Sequence, residues 1–350
     1  MKKLLYGAIV VMVLVGLIDG TVLYAAEKDL KGHPPVKVQI ITSPMGTGAY
    51  YLGFKLAEIV NKKHPWLKME AVEGMGSATN IQMVMKDPSI RKSTIFNSTN
   101  LSAGFARQAL PPFDKKYKGV LGSNLQVIFG QYNMLCPFIT LNPKIKTIND
   151  LAGKKVIMAS KGMAAGYVNQ YILEKHGLWD KVKPQYMGYK PSATALGDGL
   201  VDAVVGVLTI PPKPGTYSVM GAFTELLATK DVYLVHGGDK ETILAVGREK
   251  GIEVVPVDLS GKFDGRDIPL PMTTFYQGGL WCVDETMDAE IVYEVAKMLY
   301  ENCEEIRAVH PSMKAMTADK LANVSTEENF HRGSKKYFKQ IGLKIGFQGI

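Results

Sequence analysis

The feature that most constrains this chain is an alternation of short apolar runs with segments of helical period. Residues 36–42 (VKVQIIT) read as a buried strand, 43–48 as a turn, and 49–64 as a helix stopped by Pro65. Residues 67–72 read as a strand, 77–86 as a helix, 94–96 as a short strand and 97–108 as a helix. A β-α-β-α-β-α order predicts a mostly parallel sheet with helices on its faces. The alternation resumes after a polar connection at 111–124. Two apolar segments within 125–141 surround Gly130-Gln131-Tyr132-Asn133. Strands are expected at 155–159, 185–187, 202–208, 232–235 and 252–257, with helices at 163–176, 192–196 and 240–250. Gly177 stands where a helix C-terminus favours glycine. Residues 275–283 lead into the strongest helical pattern, 288–310, with Ile291, Val295, Met298, Leu299 and Ile306 at helical spacing. Thr286 or Asp288 is placed to cap it, and Pro311 to end it. Residues 261–271 read as a loop. No sequence repeat is evident.

The chain has 350 residues, enough for two domains. Its 46% hydrophobic and 21% charged residues exclude a disordered, collagenous or coiled-coil chain. The formal net charge of +8 is spread thinly, with no run of five basic residues, which argues against a nucleic-acid footprint. Lys2 and Lys3 precede an apolar stretch from Leu4 to Ile18, and small residues follow at Ala25-Ala26. This reads as a secretory signal over residues 1–26, leaving a periplasmic or otherwise extracytoplasmic chain; the rival is an uncleaved anchor. Cys136, Cys282 and Cys303 match no metal spacing and read as buried thiols.

Three turns stand out where strands are expected to hand over to helices: Gly46-Thr47-Gly48, Gly74-Met75-Gly76-Ser77 and Ser160-Lys161-Gly162-Met163. The third glycine of a dinucleotide fingerprint is replaced by Tyr51 in the first and Thr79 in the second, so no nicotinamide cofactor is expected. Glycine nevertheless lets a backbone approach closely, and free N–H groups at a helix start attract anionic oxygens. Such turns sit at the strand edge where open α/β sheets receive ligands. Each is also an ordinary strand-to-helix connection. Hydrolase, zincin and P-loop patterns have no convincing match. The histidines are scattered, and His64 and His310 precede prolines at expected helix ends, where capping is the simpler account. Several of Tyr50, Tyr51, Tyr132, Tyr167, Tyr171, Tyr186, Tyr189, Tyr217 and Tyr276 fall at the same edge, and tyrosine suits both ligand walls and packing.

With these residues in view, the chain resembles the TAXI family of extracytoplasmic solute receptors of TRAP transporters over most of residues 36–316. The resemblance lies in Met45-Gly46-Thr47-Gly48-Ala49-Tyr50-Tyr51, Gly74-Met75-Gly76-Ser77-Ala78-Thr79-Asn80, Ile145 to Val156, Leu196 to Ala203, and Ala308-Val309-His310-Pro311. Met75 replaces a usual glycine, and the third-strand region and third turn also depart from the family pattern.

The resemblance implies an α/β, two-lobed type II periplasmic binding protein fold with mostly parallel sheets and two crossing segments. It implies lobe I from 27–130 plus 275–350 and lobe II from 131–274. Lobe I would offer Thr47, Tyr50, Tyr51, Ser77, Asn80 and Asn97 to a ligand. Lobe II would offer Ser160, Lys161, Gly162, Met163, Ala164 and Tyr167, with Val207 and Thr209 at a strand edge. The implied partners are a small solute, an organic anion or amino acid, and TRAP membrane subunits. No enzyme activity, cofactor or nucleic acid is implied. An ABC permease or a sensor system is the alternative partner. Cys136 and Cys282 fall in the two crossing regions, and a disulfide between them is a hypothesis that alkylation mass with and without reductant tests.

Overall fold

The computed structural model describes residues 33–45, 47–210 and 215–346. The expected signal, the first residues of lobe I, Gly46 and residues 347–350 lie outside the described residues. No described helix is long and apolar enough to cross a membrane.

The first half follows the expected alternation: β1 (Val36–Ile41), α1 (Gly48–Lys63), β2 (Leu67–Val72), α2 (Ser77–Lys86), β3 (Thr94–Thr99) and α3 (Asn100–Gln108). Helix α1 buries Leu52, Leu56, Ile59 and Val60, one stripe at helical spacing. It ends at His64, whose cap conformation is extended as a residue before proline requires. Strand β3 is buried along its whole length. It runs three residues further than the apolar pattern suggests, because Thr99 rather than Phe96 hands over to the helix. The Thr99 hydroxyl accepts the Ser102 N–H and caps α3.

The long strand β4 (Leu125–Leu135) is followed by β5 (Phe138–Thr140), β6 (Lys155–Ile157), α4 (Ala164–Lys175), β7 (Lys183–Gln185), α5 (Tyr189–Gly197) and β8 (Ala203–Val205). Then come β9 (Leu208–Thr209), β10 (Thr216–Val219), α6 (Thr224–Thr229), β11 (Tyr233–Val235), α7 (Lys240–Lys250), β12 (Pro256–Asp258), β13 (Lys262–Phe263) and β14 (Arg266–Asp267). A second long strand, β15 (Thr273–Asp284), leads to α8 (Ala289–Glu301), α9 (Cys303–Arg307) and, after irregular chain, α10 (Arg332–Gln340). Asp288 caps α8 by accepting the Glu290 and Ile291 N–H groups. The expected helix over 288–310 is broken at Asn302, whose side chain donates back to the Met298 carbonyl.

The strands form two sheets. In the first the order runs β2-β1-β3-β15-β4, and in the second β7-β6-β8-β5-β11. Each has the same plan. Three mutually parallel strands lie side by side, the fourth runs against them, and the fifth runs against the fourth. The two-lobed α/β architecture is thus present, joined by the crossing strands β4 and β15, which pair with each other from Tyr276 opposite Leu135 to Asp284 opposite Leu125.

The expectation of mostly parallel sheets needs correction: only the three-strand heart of each sheet is parallel. The crossing strands return against that heart, and β9, β10, β13 and β14 extend the first sheet through further pairings, most of them antiparallel. The loop expected at 261–271 therefore holds a hairpin.

The two crossing strands lie in the most buried layer. Every residue of β15 is buried, and Trp281, Phe129, Phe96 and Phe105 rank among the largest fully buried side chains. Burying such a ring contributes about 1.5–3 kcal/mol. The three cysteines are free and buried, so no disulfide joins Cys136 to Cys282. Burial pushes their thiols up, that of Cys303 to about 11, which suits small apolar packing residues.

Candidate functional site

The ends of β1, β2 and β3 and the starts of α1, α2 and α3 share one edge of the first sheet. Thr47 caps α1, its hydroxyl accepting the Tyr50 N–H and donating to the Pro44 carbonyl. Tyr50 packs against Tyr51 and Phe54. Tyr51 stacks on His310, with ring centroids 4.0 Å apart and ring planes nearly parallel. Ser77 opens α2 after Gly76, whose φ of +117° requires glycine. Met75, the departure from the family pattern, is 81% exposed.

Asn80 and Asn97 are scaffold at this edge. Asn80 is fully buried, and its Nδ2 donates to the Thr42 and Asn97 carbonyls, tying β1 to β3. Its Oδ1 has no hydrogen-bond partner among the described residues. Asn97 donates from Nδ2 to the Leu280 carbonyl and accepts the Ser43 hydroxyl at 2.7 Å. The close approach at Gly74 belongs to the same unit. A Cβ there would stand 2.1 Å from the Thr42 carbonyl oxygen.

The matching edge of the second sheet carries Ser160 to Tyr167. Gly162 has φ of +107°. Helix α4 starts at Ala164 with no side chain capping it; the Met163 and Gly166 N–H groups donate to the Ser160 and Met163 carbonyls, so those of Ala164 and Ala165 are left to solvent or a guest. Its twelve residues are long enough for the dipole to favour an anion there. The Lys161 ammonium lies 5.2 Å from the centre of the Tyr186 ring. Tyr167 packs its ring near Phe105 of α3, and burial pushes its hydroxyl pKa up. Val207 is buried, and Thr209 pairs with both β4 and β10 while its hydroxyl donates to the Ser218 carbonyl.

The first-sheet residues thus form one connected group, and Ser160 to Tyr167 a second. The Tyr167–Phe105 contact is a ring contact between α4 and the first sheet's α3. Neither of the two cavities described here is lined by an expected ligand residue. One is a recess beside Tyr132, Asn133, Ile210, Ala315 and Lys320. The other, of about 180 Å³, lies under α3.

Two further residues make contacts at this edge that the sequence does not specify. Tyr132 of β4 presses its hydroxyl toward the start of α1: a Cβ on Gly48 would stand 2.6 Å from that oxygen. Burial pushes the Tyr132 hydroxyl up to about 12, so it is neutral at physiological pH. His310 was read as a helix cap and instead faces Tyr51; burial lowers its pKa. The tyrosine cluster at this edge was the available signal for Tyr132. Nothing in the sequence pairs Tyr51 with His310. Among the described residues no three His, Cys, Asp or Glu side chains are grouped to hold a metal.

A family model described as the NMT1-like family matches residues 40–342. The chain belongs to the NMT1-like family. Among solved structures, this NMT1-like chain is similar to the periplasmic aliphatic sulphonate binding protein SsuA from Escherichia coli, with 16% identity, 81% of this chain and 80% of that one covered, and a TM-score of 0.43. It is similar to MatC from Rhodopseudomonas palustris with bound malate, at 15% identity, 88% and 97% coverage and a TM-score of 0.46. It is also similar to a TctC solute binding protein from Polaromonas, at 13% identity, 89% and 99% coverage and a TM-score of 0.41.

Proposed function

We propose that the chain is an extracytoplasmic solute-binding receptor that captures a small, carboxylate-bearing solute between two lobes and presents it to a membrane permease. Membership of the NMT1-like family and the paired sheets joined by two crossing strands support this reading. The observation that carries it furthest is the uncapped start of α4 beside Lys161, set in a strand-to-helix turn as the turns of the first sheet are.

In this proposal residues 27–130 plus 275–350 form one lobe and 131–274 the other, with β4 and β15 as the hinge. Thr47, Tyr50, Tyr51 and Ser77 offer one wall. The backbone of Gly162 to Ala164, with Lys161, meets the carboxylate. The solute favours the closed form by touching both lobes. No bond is made or broken. The permease is of the TRAP type, as the TAXI resemblance implies, and the signal at 1–26 is cleaved. The departures at Met75 and in the third turn favour a ligand different from those of the better-known amino-acid and dicarboxylate binders, and an ABC permease is the alternative partner. A fused TRAP permease or an ABC ATPase encoded beside the gene separates the two.

Thermal-shift screening of the purified chain against organic acids, amino acids and aromatic carboxylates tests the reading, because a ligand bound only by the native state raises its melting point. At least one carboxylate is expected to do so, and Lys161→Ala to weaken it about tenfold. Catalytic turnover by the chain alone, or no stabilisation by any solute class, would overturn the reading. Unchanged affinity in Lys161→Ala would remove the charge-assisted contact from it.

A further inference from the structure

The larger cavity lies away from the glycine turns. At about 180 Å³ it has room for about six waters at roughly 30 Å³ each. One wall is a face of α3, with Asn100, Gly104 and Arg107 at helical spacing. The floor is Val127 of β4 and Leu280 of β15. The segment Gly251 to Glu253, which leaves α7, forms another side. Here the chain from the second half meets α3 closely: a Cβ on Gly104 would stand 3.3 Å from Ile252.

Two opposite charges line this cavity without meeting. Arg107 is half-buried, and desolvation pulls its pKa down. Its one hydrogen bond among the described residues is a long one, from Nη2 to the Leu125 carbonyl at 3.5 Å. Glu253 is exposed as a residue, yet desolvation raises its carboxyl pKa against the opposing pull of Arg107. It makes no hydrogen bond or ion pair among the described residues. A half-buried guanidinium with only a long hydrogen bond is under-satisfied, and the exposed Glu253 lines the same space with the opposite charge. A simple anion would satisfy Arg107 and face Glu253; a simple cation would do the reverse. A guest carrying both charges satisfies both. Asn100 adds direction, because its Oδ1 is taken by the Gly278 N–H at 2.9 Å and its amide donor is left for a carboxylate.

We propose that this cavity binds a small zwitterion, an α-amino acid with a short side chain, its carboxylate toward Arg107 and Asn100 and its ammonium toward Glu253. The occupied cavity ties the 251–253 segment to α3. The site is separate from the glycine turns and does not depend on the receptor reading.

Calorimetric titration and thermal shift with glycine and L-alanine, against propionate and ethylamine, test the proposal on the purified chain. The amino acids are expected to bind and raise the melting point, and the single-charge analogues to do neither. Glu253→Gln, a change at an exposed residue that keeps shape, is expected to weaken the amino acids about tenfold or more. Ala103→Met, which fills the cavity from α3, is expected to abolish binding. Absence of amino-acid binding would overturn the proposal, as would equal binding of propionate or undiminished binding in Glu253→Gln. If Lys161→Ala loses the amino acid while Glu253→Gln retains it, the amino acid occupies the glycine turns; this inference then fails and the receptor reading stands.

Discussion

Asn80 shows how a residue read as a ligand contact serves the scaffold that holds the turns. One side-chain amide satisfies two carbonyls on neighbouring strands. Asn80→Ala would leave both buried and unpaired, so it is expected to cost about 2–4 kcal/mol in urea unfolding. Histidines supply a second prediction at this scale. The Nδ1 of His64 accepts the Leu67 N–H, and that of His331 accepts the Gly333 N–H. Both rings are thereby held as the neutral tautomer, and desolvation lowers both pKa values, more than Glu294 raises that of His64. A lowered folded pKa means that the unfolded chain binds more protons between the two values. Their contribution is full above pH ~6.5 and is lost as the pH falls from there toward the folded pKa. The urea midpoint should therefore drop between pH ~7.5 and ~5.5, and His331→Asn should flatten that slope. An equal slope in the variant would remove His331 as a cause. These roles were not legible in the sequence, because Asn80 and His331 meet partners that only the fold brings near.

Elements were legible where hydrophobic period and punctuation agreed. The glycine and small residues that open α1, α2 and α4 located those helices, and Pro65 and Gly177 marked stops. Short pairings such as β9 with β10 and β13 with β14 carry no period long enough to read, and their pairing is set by neighbours in the sheet. Helix α10 buries one narrow face, Gly333, Ser334, Tyr337 and Phe338, with Tyr337 packed on Tyr293 and Tyr300 of α8. Among the described glycines the tightest is Gly166 of α4, where a Cβ would stand 1.9 Å from the carbonyl oxygen of Met158, just beyond β6. Gly166→Ala must push α4 off the end of β6. The expected cost is about 2–4 kcal/mol in urea unfolding, with the loss of any carboxylate binding at that helix start. A variant as stable as the parent would mean that α4 shifts without penalty.

At the scale of the whole molecule, the alternation of strands and helices was enough to foresee an α/β chain with helices on its sheet faces, while two lobes with crossing segments followed only from the family resemblance. It did not reveal that both sheets share one strand order, since that order is a property of pairing and leaves no sequence repeat. The fourth place in the first sheet is filled by β15, which the chain supplies only after the entire second sheet has been laid down. Until then one flank of β3 has bare amides and carbonyls, an invitation to mispairing. The order of assembly is therefore written into the connectivity: the second sheet, all of whose strands come from residues 138–235, should gain protection first. Pulse-labelled hydrogen exchange during refolding should find Val204 and Ile139 shielded before Phe96 and Leu280; the reverse order would show that the early strands find a stopgap neighbour while they wait.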